Sequence, residues 1–167
     1  TADAVDLGKK DVFNPTGSFS ISLWAKIGAW GTAWNHVMIG NRGEDNLGWQ
    51  LRRPNSNKFC FTTRGAGSDD MSSQATPAQN EWVHFTCVYD NAGNTKAIYL
   101  NGILDSTANT TAGNKIAATT HNTYIGARAL AANTGPDTAT FFTGSLDEIR
   151  IFTRALTAGE ADFLSKP

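Results

Sequence analysis

Residues 80–104 read NEWVHFTCVYDNAGNTKAIYLNGIL and carry the clearest structural signal in the chain. The runs Trp82–Asp90 and Lys96–Leu100 show the period of two that is typical of β-strands. Between them, residues 90–94 read DNAGN, which are residue types that favour tight turns. This segment therefore predicts a β-hairpin.

The same period recurs on both sides of the hairpin. Further runs lie at 19–27, 37–39, 48–53, 58–63, 123–128 and from Ser145 onward. Turn residues separate these runs, and longer polar connections cover residues 64–80 and 130–140. We therefore predict about ten or more strands in an all-β sandwich or barrel.

One short helix is predicted at the C-terminal end. Thr157 and Glu160 have the spacing of a capping box, in which each side chain bonds the backbone of the other residue. The apolar residues that follow end before Pro167. Since no internal repeat or linker interrupts the pattern, we predict that residues 1–167 form one domain.

The charge of the chain limits its partners. It has 14 basic and 15 acidic residues among 167, for a formal net charge of −1. A nucleic-acid or anionic-membrane partner would favour a basic excess, so neither is expected. No stretch approaches the roughly 18 apolar residues of a membrane-spanning helix. The chain begins at Thr1 without Met, and we interpret it as a mature or excised module.

The two cysteines, Cys60 and Cys87, both lie in strand-like runs. They form either one disulfide or two buried thiols, since free cysteine is among the residue types most often buried. Neither belongs to a CxxC pair or to a Cys/His cluster of the kind that binds a metal.

Three segments together resemble the bacterial laminin-G-like, concanavalin A-like jelly-roll family. They are ADAVDLGKK with SFSISLWAKI, the hairpin quoted above, and FTGSLDEIRIFTRALTAGE at 142–160. The resemblance implies an antiparallel β-sandwich (jelly roll) of two sheets, one of them concave, with a short C-terminal helix. Members include carbohydrate-binding modules, lectin-like domains, adhesion modules and a few hydrolases and lyases.

The resemblance also implies a structural calcium ion where the termini meet. Asp3 and Asp147 lie in the matching segments and would share the ion if the terminal strands are neighbours, with Asp6 as a substitute for Asp3. Carboxylate and carbonyl oxygens are the ligands that calcium prefers. Alternatively, Asp147 pairs with Arg150 or caps a turn.

Catalysis is not expected from the carboxylates. They occur as the adjacent pairs Glu44-Asp45, Asp69-Asp70 and Asp147-Glu148. Neighbouring residues of a strand point to opposite faces, so Asp147 and Glu148 should not address one substrate as a glycosidase requires. His84 is interpreted as a buried histidine with its hydrogen bonds satisfied.

The tryptophans divide into two groups. Trp24 and Trp82 lie inside strands and are predicted to belong to the core. Trp30 and Trp34 lie in a loop-like stretch with small neighbours. Their rings would bind the apolar face of a sugar, or they would fold back as a lid on the edge of the sandwich.

Polar candidates come from three strands. With Trp49 and Leu51 facing the core, alternation directs Gln50 and Arg52 outward. Arg64 ends another strand, and Arg128 is predicted to share the outer face of a third strand. Arginine is a rigid bidentate donor for carboxylates, sulfates or vicinal hydroxyls, so these three would suit an acidic polysaccharide. Alternatively, they are ordinary surface charges paired with nearby acids.

These observations predict a non-catalytic carbohydrate-binding module, monomeric and carried by a larger secreted protein. The predicted ligand-binding residues are Trp30, Trp34, Gln50, Arg52, Arg64 and Arg128. The first alternative is a protein-interaction or cell-adhesion module of the same fold, which would expose an apolar patch. The second is a hydrolase or lyase domain, which would require convergent carboxylates with shifted pKa values.

Overall fold

A computed structural model describes residues 3–15, 17–28, 36–43, 45–54, 56–130 and 133–166 of the chain. These residues form thirteen strands and one α-helix. The strands are β1 (Val5–Gly8), β2 (Phe19–Ile27), β3 (His36–Gly40), β4 (Trp49–Arg53), β5 (Cys60–Thr63), β6 (Asp70–Ser72), β7 (Trp82–Asp90), β8 (Thr95–Leu100), β9 (Ile103–Asn109), β10 (Thr123–Ile125), β11 (Arg128–Ala129), β12 (Pro136–Asp137) and β13 (Gly144–Phe152). The helix α1 spans Ala158–Leu164, and short 3-10 helices lie at Asp11–Phe13 and Thr138–Thr140.

The strands form two large antiparallel sheets and a small ribbon. The six-stranded sheet has the order β1-β10-β3-β4-β5-β6, and the five-stranded sheet has the order β13-β2-β7-β8-β9. Among the described residues, strands β11 and β12 pair only with each other. The predicted all-β sandwich of two sheets with a C-terminal helix is confirmed.

Aromatic rings from both sheets form the core between them. Phe59, beside β5, packs against Phe85 of β7 with ring centroids 4.5 Å apart. Phe19 of β2 meets Trp49 of β4 at 5.3 Å and Phe61 of β5 at 5.9 Å. All five side chains are buried, as the alternation in the sequence indicates. Tilted and edge-on ring pairs of this kind favour the association of the sheets beyond the apolar area that they bury.

Lys96 of β8 reaches across the core from the five-stranded sheet. Its side chain is buried, and Nζ donates to the carbonyl oxygens of Phe61, Ser68 and Asp69 at 2.9–3.1 Å and to Thr63 Oγ1 at 3.0 Å. Burial lowers the pKa of Lys96 to about 8. A buried amine requires such partners, because an unsatisfied polar group is costly in the interior. Lys96 therefore fixes the end of β5 and the turn that follows it.

The outer face of the five-stranded sheet differs from the sequence prediction. Trp24 and Trp82 alternate with the core residues of β2 and β7, so they lie on the outer face, and Trp82 is 45% exposed. The prediction that both belong to the core is wrong. The prediction rested on the position of both tryptophans inside strands, but a strand residue can face either side of a sheet. Here Leu23 and Val83 hold the core positions.

His84 lies beside Trp24 on this outer face and is fully buried. Its ring packs edge-on against the indole at 5.2 Å, and Nε2 bonds Ser22 Oγ at 2.9 Å. Nδ1 has no hydrogen-bond partner among the described residues, so only part of the prediction of a satisfied histidine is confirmed. Burial, followed by the charge of Arg150, lowers the pKa of His84 to about 4.

The smaller sequence predictions have clear outcomes. Thr157 caps α1, and the capping box with Glu160 is confirmed. Cys60 and Cys87 are free and buried, which resolves the alternatives in favour of two thiols. No helix within the described ranges is long and apolar enough to cross a membrane.

Replacing Lys96 tests its role between the sheets. We expect Lys96→Met to lower the free energy of unfolding by about 3 kcal/mol or more, because buried carbonyl oxygens lose their donor. Urea denaturation measures the loss, and Lys115→Met, at an exposed lysine, is the matched control. Equal effects of the two substitutions would contradict the role given to Lys96.

The pKa of His84 predicts a pH dependence of stability. The folded-state pKa of about 4 lies below the value of about 6.5 expected in the unfolded chain. The unfolded chain therefore takes up the proton first, and stability falls as the pH drops from about 6.5 towards 4. Urea denaturation at a series of pH values should show this slope, and His84→Gln should reduce it. An unchanged slope in His84→Gln would show that other groups cause the dependence.

Candidate functional site

The β4 strand positions two of the predicted ligand residues. Trp49 and Leu51 are fully buried in the core, while Gln50 and Arg52 alternate with them on the outer face of the six-stranded sheet. The predicted orientation of Gln50 and Arg52 is therefore correct. Both side chains are largely buried on that outer face, Arg52 with 6% of its surface exposed, so they belong to a packed polar layer.

Arg52 and Arg64 meet at a shared carboxylate. Asp70 Oδ2 lies 3.4 Å from Arg52 Nη2 and 3.0 Å from Arg64 Nη2. Asp70 Oδ1 accepts a hydrogen bond from Thr62 at 2.7 Å, and Arg64 also approaches Asp69 at 3.4 Å. Burial opposes ionisation of Asp70, but the Thr62 hydrogen bond and the two arginines outweigh it and lower the pKa of this carboxyl.

Arg42 joins the same cluster, and the sequence reasoning missed it. Its guanidinium donates to Asn46 Oδ1, and the Gln50 amide, with its oxygen turned towards the arginines, accepts from Arg42 Nη1 at 3.2 Å and Arg52 Nε at 3.0 Å. Burial and the positive charges of Arg64, Arg52 and Arg128 lower the pKa of Arg42 to about 10. Arg42 follows β3 outside any strand, so alternation gave no signal for its direction.

Arg128 reaches the cluster by a different route from the one predicted. Strand β10 ends at Ile125, and Gly126 takes a positive φ of 85° that bends the chain. Arg128 consequently lies in the separate ribbon β11–β12, where it pairs with Asp137 at 2.6 Å. The prediction that Arg128 lies on the outer face of that strand is wrong, although the charge of Arg128 contributes to the lowered pKa of Arg42.

We call this set of side chains the arginine face. It comprises Arg42, Gln50, Arg52, Thr62, Arg64, Asp70 and Arg128. Arg42 has no ion pair with any described carboxylate, while Arg64 and Arg128 retain 18% and 16% of their side-chain surface exposed. Guanidinium groups held by neighbours in this way are preorganised donors for carboxylate, sulfate or paired hydroxyl groups. The set of donors is chemically suited to hydrogen bonding with such groups.

Two of the predicted ligand residues, Trp30 and Trp34, lie outside the described residues. Their predicted contact with a sugar stays a prediction.

The predicted calcium ligands come from the two ends of the chain. The strand that follows Asp3, β1, pairs with β10 in the six-stranded sheet, whereas β13, which contains Asp147, pairs with β2 in the five-stranded sheet. The terminal strands therefore belong to different sheets and do not pair with each other. The Asp6 carboxylate already accepts hydrogen bonds from Gly8 N–H, Asn122 and Tyr124. These hydrogen bonds outweigh the effect of burial and lower the pKa of Asp6.

Metal binding has no other support in the described part of the chain. No group of three or more His, Cys, Asp or Glu residues there could hold an ion. A calcium ion shared by Asp3, Asp147 and backbone carbonyls therefore stays a prediction.

Asp147 and Glu148 also depart from their predicted arrangement. The register of β13 against β2 shifts between Asp147 and Arg150, and Glu148 has a φ of 48°. This β-bulge breaks the alternation, so both carboxylates line one groove. The prediction that they cannot face one ligand is wrong, because it assumed a regular strand. Glu148 pairs with Arg150 at 2.9 Å, which is the partner that the sequence suggested for Asp147.

The two-sheet topology and the polar outer face define a lectin-like jelly-roll domain. A family model of the concanavalin A-like lectin/glucanases superfamily matches residues 1–162. The chain belongs to this superfamily, as the resemblance in the sequence implied. No curated protein sequence matches the chain.

Solved structures from several bacteria share the fold. The CBM40 domain of the Ruminococcus gnavus IT-sialidase, bound to α2,3-sialyllactose, is 16% identical with a TM-score of 0.75, over 99% of this chain and 93% of that one. Domain 4 of the Geobacillus stearothermophilus arabinanase AbnA, in complex with arabinotriose, is 18% identical with a TM-score of 0.68, over 98% and 72%.

A third structure is longer than this chain. It is a Bacteroides ovatus protein assigned provisionally to carbohydrate binding, 18% identical with a TM-score of 0.74. The match covers 96% of this chain but 44% of that one, so this chain spans less than half its length. Identities this low show a common fold, and the ligand must be argued from the side chains.

Proposed function

We propose that this domain is a non-catalytic carbohydrate-binding module whose arginine face binds an acidic oligosaccharide. The observation that supports the proposal most strongly is the cluster of Arg42, Arg52 and Arg64 around Gln50 and Asp70 at the outer face of the six-stranded sheet, with Arg128 contributing from the neighbouring ribbon. Burial, and after it the positive charges of Arg64, Arg52 and Arg128, lowers the pKa of Arg42 to about 10. Bringing like charges together in a buried layer is unfavourable unless an anion offsets it.

The carboxylates among the described residues offset this charge only in part. Asp70 forms ion pairs with both Arg52 and Arg64, and Asp137 forms an ion pair with Arg128. Arg42 has only amide partners among the described contacts, so a ligand carboxylate or sulfate would complete the charge balance. A sugar also supplies hydroxyl groups, which can donate hydrogen bonds to the Asp70 carboxylate, whose side chain is 40% exposed.

The relatives are consistent with this proposal. One sialidase domain with the same fold is bound to sialyllactose, and one arabinanase domain is in complex with arabinotriose. A module of this kind would raise the local concentration of a larger secreted protein on its polysaccharide. Secretion, the monomeric state and a structural calcium belong to the same proposal as expectations.

A protein-contact role is the second candidate. Ile103 and Leu104 at the start of β9 are 74% and 53% exposed, and Phe163 of α1 is 75% exposed. Helix α1 contacts β9, and Phe163 lies beside Glu148 and Arg150 of β13. Exposed apolar groups of this size favour association with another protein.

A glycan array and affinity gels with acidic and neutral polysaccharides test the proposal. We expect acidic glycans to bind, and Arg64→Gln to weaken that binding at least about tenfold, because a charged hydrogen-bond pair is lost. Arg154→Gln is the matched control, because Arg154 pairs with Glu160 of α1, away from the arginine face. Measuring the melting temperature with and without a calcium chelator tests the expected structural ion, because loss of such an ion should lower the melting temperature.

Two results would contradict the proposal. If no acidic glycan binds, the arginine face has a structural role and the protein-contact role gains support. If Arg64→Gln and Arg154→Gln weaken the binding of acidic glycans equally, that binding is a general effect of charge.

A further inference from the structure

A groove lies on the outer face of the five-stranded sheet, on the side of the sandwich away from the arginine face. It has a volume of about 380 Å³. Its lining residues are Trp24, Trp82, Asp147, Glu148 and Lys166. We call it the tryptophan groove. The volume lies near the lower end of the range of roughly 300–1,000 Å³ that is usual for small-molecule sites, which suits one or two sugar units.

The two tryptophans form an aromatic wall of this groove. Trp24 lies opposite His84 in the β2–β7 pairing, and Trp82 lies opposite Lys26, so the two indoles are diagonal neighbours on one face. Trp24 is held by His84, whose ring packs against it at 5.2 Å. Trp82 remains 45% exposed, although burying an aromatic ring is strongly favourable. An exposed indole in a concave site is suited to pack against the apolar C–H face of a pyranose.

The β-bulge in β13 brings the polar groups to the same groove. Glu148 adopts a φ of 48°, a left-handed conformation that is unfavourable for a non-glycine residue. The backbone N–H of Glu148 donates to Asp147 Oδ1 at 2.7 Å, which orients the Asp147 carboxylate. Strain of this kind is concentrated at functional sites, and here it places two carboxylates beside two indoles.

The charges of the groove select among ligands. Glu148 is paired with Arg150, and Lys166 is paired with Asp162 at 2.7 Å. The Asp147 carboxylate has no ion pair with any described residue and keeps acceptor capacity for hydroxyl groups. An anionic sugar would be repelled by Asp147 and Glu148, whereas a neutral sugar would donate its hydroxyl hydrogens to them.

We infer that the tryptophan groove is a second carbohydrate site, which binds a neutral pyranose. The ring stacks on Trp82, and its hydroxyl groups donate to Asp147 and Glu148. The two sheets of the domain then present two sites of opposite preference, one for acidic and one for neutral sugars. This inference does not depend on the ligand of the arginine face.

Indole N–H signals in ¹H–¹⁵N spectra test the inference, because the chain has five tryptophans that Trp→Phe substitutions can assign singly. The probes are cellohexaose, xylohexaose and mannohexaose as neutral sugars, and α2,3-sialyllactose as the acidic sugar. We expect at least one neutral sugar to shift the Trp82 and Trp24 signals in a saturable manner. Trp82→Ala and Asp147→Asn should each weaken this binding ~10-fold or more.

Control variants separate the two sites. Asp11→Asn, at an exposed carboxylate outside the groove, should leave neutral-sugar binding unchanged. Arg64→Gln should also leave neutral-sugar binding unchanged, although this substitution weakens the binding of acidic glycans. The spectrum of each variant verifies that it is folded.

The outcomes distinguish the two proposals. If no neutral sugar shifts the Trp82 signal while sialyllactose binds with Arg64-dependent affinity, the tryptophan groove is not a sugar site and the proposed function stands. If neutral sugars shift only other indoles, or Asp147→Asn has no effect, the inference is also overturned. If neutral sugars bind at Trp82 and no acidic glycan binds, the groove is supported and the proposed function fails.

Discussion

The hydrogen bonds of the Lys96 ammonium connect the two sheets, and the arginine face depends on them. Lys96 belongs to β8 of the five-stranded sheet, yet its partners are oxygens at the end of β5 and in the turn before β6. Arg64 and Asp69 lie within this turn. A turn with glycines at positive φ, such as Gly65 and Gly67, needs outside support to hold one conformation. Lys96 provides that support from inside the core.

The two outer faces of the sandwich use polar groups in different ways. On the six-stranded sheet, buried guanidinium groups and Asp70 hold one another in a dense network. On the five-stranded sheet, a partly exposed tryptophan and two carboxylates line an open groove. The fold itself requires neither arrangement, because only the inner faces build the core. Ligand preference in such a domain therefore depends on residues that alternate with the core positions.

The sequence predicted the features that depend on alternation and capping. The strands, the outward direction of Gln50 and the capped helix all follow local rules that the structure obeys. The errors have local causes as well. A bulge at Glu148 and a bend at Gly126 interrupt the period of two, and the residue pattern predicted neither of them.

Other features of the site depend on the tertiary fold. Arg42 joins the arginine face from a loop, so its position follows from packing. The outward direction of Trp24, by contrast, follows from the alternation that puts Ile21 and Leu23 in the core, so the sequence did contain this signal. The pairing of β1 with β10 places the N-terminal strand in the six-stranded sheet, and a long-range pairing of that kind has no local signal.

Arginine side-chain Nε–H signals give the most direct test of the central claim, that the arginine face binds an acidic sugar. The ¹⁵N-labelled domain would be titrated with α2,3-sialyllactose, with an oligogalacturonate and with a sulfated heparin oligosaccharide. The account predicts that at least one of them shifts the signals of Arg64 and Arg128 in a saturable manner and leaves Arg154 unchanged. If all three leave Arg64 and Arg128 unchanged, or shift Arg154 equally, the arginine face is not a sugar-binding site.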